Sequence, residues 1–230
     1  MKYLMIVPVF NEARSIANVI EELRCHCPAY DIVVVNDASS DESLQVVKSL
    51  GVKVLDLPAN LGIGGAVQAG MRYAVAHGYD AGIQFDGDGQ HIAKSVKILV
   101  ERFEEQPADL IIGSRFLEES AAFKTSFERK IGMILFSKLF FLLSKQKVYD
   151  TTSGFRLYGL EIMRFYQDSY PTDFPDMPAL IAAVRKGFSI AEVAVEMKQR
   201  EFGVSSTGFF KSVWYPLTTI AATLAVYLQQ

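Results

Sequence analysis

The feature that most limits the fold of this chain is the alternation of short β-rich apolar runs with longer stretches of helical periodicity. Runs at residues 3–7, 31–35, 52–55, 81–85 and 110–112 predict strands. The intervening spacing predicts helices over 13–25, 41–50, 64–77 and 92–104, the second capped by Ser39 or Ser40 with Asp41 and Glu42 in its first turn. Such repetition specifies an α/β domain with a mostly parallel central sheet covered by helices. Ligands of such sheets gather at the carboxyl ends of the strands. Polar residues fall there in this chain: Asn11 and Glu12, Asn36 and Asp37, Asp86 and Asp88, Ser114 and Arg115.

Past residue 120 the pattern shifts to a helix over 127–143, a strand-like alternation over 192–197 and a long apolar segment over 209–228. No repeat or linker divides the chain, so one domain with a sizeable core is expected. Half of the 230 residues are hydrophobic, which excludes disorder, and a net charge of −3 argues against a nucleic-acid partner. The charge is uneven: residues 1–123 carry 10 basic and 17 acidic side chains, residues 124–230 carry 13 and 9. The two cysteines, Cys25 and Cys27, exclude a disulfide framework, and no second Cys/His cluster completes a tetrahedral metal site with them. The first residues lack the apolar core and cleavage site of a signal peptide, so a cytoplasmic protein is expected.

The segment IQFDGDGQH sets Asp86 and Asp88 two apart after a strand, with Gly87 and Gly89 allowing a sharp turn. Two carboxylates on one loop suit Mg2+ or Mn2+, and Gln90 can add an oxygen. VPVFNE ends the first strand and VVVNDASSDES the second. With IIGSRF, DTTSGFR and EVAVEMKQREFGVSS, these segments resemble glycosyltransferase family 2, inverting sugar transferases of the GT-A fold. The resemblance is closest to the polyprenyl-phosphate sugar synthase branch that includes dolichyl-phosphate mannose synthase, and runs from about residue 3 to 206. It implies a catalytic domain over 1–206, with an interface helix near 127–145, and an apolar helical tail over 207–230.

The resemblance implies roles residue by residue. Pro8, Asn11 and Glu12 match the loop bordering the nucleotide, and Asp37 the residue that hydrogen-bonds the base; Asn36 departs from a usual second Asp. Gly62 is expected to let its loop pass close to the nucleotide, and Asp86 with Gly87 belongs to the same donor site. Asp86 and Asp88 match the metal pair, with Gln90 as a further ligand. Arg200 matches an arginine near the donor diphosphate. Arg115, Arg129 and Arg156 are candidates for anionic groups of donor or acceptor, and Ser205 stands on the acceptor side where relatives often carry Ser-Lys. NLGIGGAVQAG is not a dinucleotide fingerprint, because Val67 stands where a third Gly or Ala is needed. A sugar-phosphate nucleotidyltransferase would need a basic Gly-rich loop after the first strand.

In an inverting transfer the acceptor attacks the anomeric carbon as the nucleoside diphosphate leaves. A hydroxyl acceptor needs a general base, for which Asp150 and Asp176 are the candidates. A phosphate acceptor, whose second ionisation falls at about 6, arrives as an anion and needs arginines instead. Between Lys124 and Lys147 six basic residues and one acidic residue flank IGMILFSKLFFLL, the composition of a helix lying on an anionic bilayer. The tail segment SVWYPLTTIAATLAVYL has 17 uncharged residues, short of the ~20 needed to span a bilayer. It is interrupted by Pro216 and is expected to lie in the interface, bind a small membrane partner or cover the core. The leading expectation is a metal-dependent hexosyltransferase, UDP-sugar favoured over GDP-sugar as donor, acting on a polyprenyl phosphate at the inner membrane face. The alternatives are a polysaccharide glycosyltransferase with a saccharide acceptor and a catalytically inactive nucleotide-sugar binding protein.

Overall fold

A computed structural model describes residues 1–106, 108–117, 127–198 and 209–228, with side chains omitted at 127–131 and 209–215. The strands are β1 (Tyr3–Val9), β2 (Asp31–Asn36), β3 (Lys53–Asp56), β4 (Ala81–Gln84), β5 (Leu110–Ser114), β6 (Arg156–Gly159) and β7 (Ile190–Ala194). The α-helices are α1 (Ile16–His26), α2 (Ser43–Ser49), α3 (Gly62–Ala76), α4 (Val96–Glu105), α5 (Phe127–Ser144), α6 (Leu160–Ser169), α7 (Met177–Arg185) and α8 (Phe209–Leu228). The sheet order is β3-β2-β1-β4-β6-β5-β7. All pairings are parallel except those of β6, which runs antiparallel between β4 and β5.

The central strands are buried on both faces, as near-continuous apolar runs require. Along β1, Tyr3, Met5, Val7 and Val9 join one core with Ile16, Ile20 and Leu23 of α1 and Val96 and Leu99 of α4. Leu4 and Ile6 point to the other core, built with Val67 and Met71 of α3, Ile162 of α6 and Leu180 of α7. The result is a three-layer α/β/α domain. The close approach of α3 to β1 depends on Gly70, where a Cβ would lie 2.2 Å from Ile6 Cγ2.

Three local expectations are corrected. α2 starts at Ser43 and neither Ser39 nor Ser40 caps it; Asp41 Oδ1 accepts from the Ser43 N–H at 2.9 Å instead, because Ser39 is drawn to the Asn11 N–H. The strand expected over 192–197 is β7, two residues earlier, while Met197 makes an isolated antiparallel bridge to His91. The short β6 was not expected. The tail is α8, which packs its buried Thr219 and Thr223 inward, and Tyr227 lies 5.0 Å beneath the Arg185 guanidinium of α7. Among the described residues no helix is long and apolar enough to cross a membrane.

Candidate active site

The loops after β1 and β2 are tied together by short polar side chains. Asn11, at φ 57°, accepts from the Ser40 N–H at 2.8 Å and the Asp41 N–H at 3.3 Å, while its own N–H donates to Ser39 Oγ at 3.0 Å. The Glu12 N–H donates to Ser43 Oγ, and the Ala13 N–H to Asp41 Oδ2. Left-handed backbone is tolerated by Asn better than by most residues, so Asn11 serves this knot directly. Pro8 is buried in β1 and its carbonyl accepts from the Gly87 N–H at 3.3 Å. Ser15, overlooked in the sequence, completes the link by donating to the Gly87 carbonyl at 2.8 Å.

Asp37 is buried, and its Oδ1 accepts from the Leu61 N–H at 2.7 Å. Burial pushes its carboxyl above the usual range, against the N–H groups of Leu61 and Gly62, which lower it. Gly62 begins α3 at φ +74°, a conformation that a side chain would strain. Next to Asp37, Asn36 donates to Asp56 Oδ1 at 2.7 Å across the β2–β3 register. An Asp at 36 would set two carboxylates against each other; the amide replaces that repulsion with a bond, and its own Oδ1 has no partner among the described residues.

Asp86 and Asp88 sit just beyond β4. Asp86 Oδ1 accepts from Gln84 Nε2 at 2.9 Å, and Asp88 Oδ1 from the Gln90 N–H at 3.0 Å. The Gln90 main-chain carbonyl accepts from the Lys198 N–H at 2.8 Å. His91 is buried, stacks on Phe155 at 4.8 Å, meets Phe85 edge-on, and accepts the Asp86 N–H through Nδ1 at 3.0 Å. Burial lowers its pKa to about 4, so the ring is neutral and its 3.7 Å approach to Asp86 Oδ2 is not an ion pair. Accepting at Nδ1 places the proton on Nε2. Gly154 closes the other side, where a Cβ would stand 2.7 Å from Asp86 Oδ2.

These oxygens fit Mg2+ or Mn2+. A hard cation shared with a diphosphate takes one or two protein carboxylates and leaves its other positions to phosphate oxygens and water. Among the described residues no three His, Cys, Asp or Glu side chains converge as a closed metal site would require.

A small cavity opens between Asp86 and α7, lined by Gln84, Thr152, Gly154, Arg156, Tyr170 and Asp176. Asp176 is the N-cap of α7. Asp150, the other candidate base, is corrected: it is fully buried and held by Arg115 through Nε and Nη2 at 2.7 Å each. A carboxylate locked in a bidentate pair has no reach to an acceptor hydroxyl. The Asp150 N–H donates to Glu192 of β7 at 2.8 Å, another residue that the sequence did not single out, and whose carboxyl burial pushes up. Arg115 keeps one-fifth of its side chain exposed and also donates to Thr152 Oγ1 at 2.9 Å. Arg156 is buried, lines the floor of this cavity, and donates through its Nη atoms to the carbonyls of Pro175 and Thr151 at 3.1 Å. Arg200 and Ser205 lie outside the described residues, as does the side chain of Arg129, whose backbone belongs to α5.

On α5, Phe140 is buried and Phe136, Leu139 and Leu143 pack against the core. The opposite stripe is also apolar: Ile134, Leu135, Phe141 and Leu142 are 53%, 62%, 51% and 64% exposed. Lys138 is exposed on the same helix, and Lys145, exposed at φ 59°, follows its last residue. Four residues past the helix, Val148 and Tyr149 lead into Asp150.

A family model described as glycosyl transferase family 2 matches residues 5–166. The undecaprenyl-phosphate mannosyltransferase of Micrococcus luteus is 29% identical over 214 residues, covering 89% of this chain and 87% of the relative. The UDP-N-acetylglucosamine–dolichyl-phosphate N-acetylglucosaminyltransferase of Methanococcus voltae is 26% identical over 221 residues, covering 87% of each. Among solved structures, glucosyl-3-phosphoglycerate synthase from Mycobacterium tuberculosis, in complex with Mn2+, UDP and phosphoglyceric acid, superposes with a TM-score of 0.75. It shares 16% identity over 100% of this chain and 79% of that one.

Proposed function

This chain belongs to glycosyl transferase family 2, and from that premise we propose that it moves a hexose from a nucleotide diphosphate sugar to a polyprenyl phosphate at the inner face of the cell membrane. That it is a glycosyltransferase of the GT-A-like fold follows from the family match and the structural neighbours. The lipid acceptor is supported by the relatives, named for dolichyl- and undecaprenyl-phosphate transfer. The observation that carries it is the exposed apolar stripe of α5, with Lys138 on the helix and Lys145 just past it, joined by a few residues to Asp150, which holds Arg115. A helix buried on one side and apolar on the other lies stably in a bilayer interface, each nearby lysine contributing about 1 kcal/mol on anionic lipid.

In this reading Asp86 and Asp88, with Gln90, would hold a Mg2+ or Mn2+ ion, which would supply positive charge toward the diphosphate leaving group. Neutral His91 fixes the main chain of Asp86, and Gly154 leaves room for its carboxylate. Asp37 and the loop at Gly62 border the base, a UDP-sugar being the favoured donor. Arg115, oriented by Asp150, turns its exposed edge to the acceptor phosphate. That phosphate is already an anion and needs no base. Asp176 is the carboxylate left for a base were the acceptor a saccharide hydroxyl.

Nucleotide release from a panel of UDP- and GDP-sugars, with Mn2+ or Mg2+ and undecaprenyl phosphate, tests the reading. Release that requires the lipid phosphate and the cation is the expected result. Release that requires a saccharide and ignores the lipid phosphate would overturn the acceptor assignment.

A further inference from the structure

Gln84 is a buried amide at the end of a strand whose other residues are Ala81, Gly82 and Ile83. Its two ends are distinguished by their neighbours. Nε2 donates to Asp86 Oδ1 at 2.9 Å, and Oε1 accepts from the Tyr158 hydroxyl at 3.2 Å. Tyr158 is buried in β6. Hydroxyl and amide each donate to the next group, so the chain runs in one direction from Tyr158 through Gln84 to Asp86.

The direction matters because an amide turned by 180° would press its oxygen against a carboxylate oxygen, and an ionised carboxylate can only accept. The terminal torsion of a Gln side chain has no strong preference of its own. The Tyr158 hydroxyl, by donating to Oε1, holds the oxygen on the side away from Asp86. Asp86 is then held on Oδ1 by the amide, along its main chain by His91, and beside Oδ2 by the surface of Gly154.

We propose that Gln84 and Tyr158 are positioning residues that orient the Asp86 carboxylate for the divalent cation. The proposal rests on the reading of Asp86 as a metal ligand. Both act through Asp86. Outer partners of metal ligands commonly change affinity by about 10- to 100-fold when removed.

The test is a titration of Mn2+ in the presence of UDP, with free Mn2+ read by its electron paramagnetic resonance signal, alongside UDP binding without metal and a melting curve. Gln84→Leu should weaken Mn2+ by more than about tenfold and Tyr158→Phe, one bond further away, by roughly tenfold. UDP binding without metal should not change. A purely structural role would lower the melting temperature and leave the Mn2+ affinity within about twofold of the native protein, which would overturn the proposal. If Tyr158→Phe does not fold, Gln84→Leu decides by the same criterion. Failure of the native protein itself to bind Mn2+, with UDP still bound, would overturn the metal reading and this proposal together. Native binding with unaffected variants would overturn only the latter.

Discussion

The two ends of the sheet hold their functional loops in different ways. At the end built by β1, β2 and β4, small polar side chains tie loop to loop: Asn11 to Ser40, Glu12 to Ser43, Ser15 to Gly87. At the end built by β5, β6 and β7, buried charge does the work, through Arg115 with Asp150, Glu192 beneath them, and Arg156 on the carbonyls of Thr151 and Pro175. In the proposed reading Asp86 and Asp88 at the first end meet the ligand, whereas at the second end Asp150 is committed to Arg115 and the Arg156 Nη atoms to main-chain carbonyls.

The sharpest way to break this comparison is Asp150→Ala. It leaves Arg115 partly buried without its bidentate partner, so chemical denaturation should show a loss of about 3–5 kcal/mol. If Asp150→Ala kept full stability and lost only turnover, Asp150 would return as a base. Asp86→Asn, at the other end, should do the reverse. Transfer should fall roughly 100- to 1,000-fold in a steady-state assay, the scale of losing a group that stabilises transition-state charge, with the melting temperature little changed. A large drop in stability would erase the distinction between the two ends. The smallest effect is expected outside the site. Lys138→Glu with Lys145→Glu should weaken sedimentation with anionic vesicles by at least about tenfold, since two cations contribute about 2 kcal/mol, while activity on a short-chain soluble acceptor persists. Unchanged sedimentation would mean that α5 does not face the bilayer.

The first end was largely legible in the sequence, because parallel strands end in polar residues and the period of each run is visible over a few positions. Asp86, Asp88, Asp37 and the strands that carry them needed no long-range information. The second end did not read so easily. Asp150 looks like a base until its partner is known, and Arg115 stands 35 positions away. β6 is four residues long and runs directly into α6, so no periodicity separates them. His91 was passed over because its partner is a main-chain N–H, which leaves no trace in residue types. For α5 the composition suggested a membrane helix, but only packing shows that the stripe left outside by Phe136 and Phe140 is itself apolar. The Ser39 and Ser40 caps failed for a related reason: Asn11, in the loop after β1, competes for the same short segment.

The central claim is that the sugar is delivered to a lipid phosphate. The most direct measurement is mass analysis of the product formed from a labelled nucleotide sugar by the native protein on vesicles containing undecaprenyl phosphate. The account predicts a glycolipid heavier than the acceptor by one hexosyl unit, formed with inverted anomeric configuration and absent with Asp86→Asn. Nucleotide release with the sugar found only on water or a saccharide, and the lipid phosphate unchanged, would contradict it.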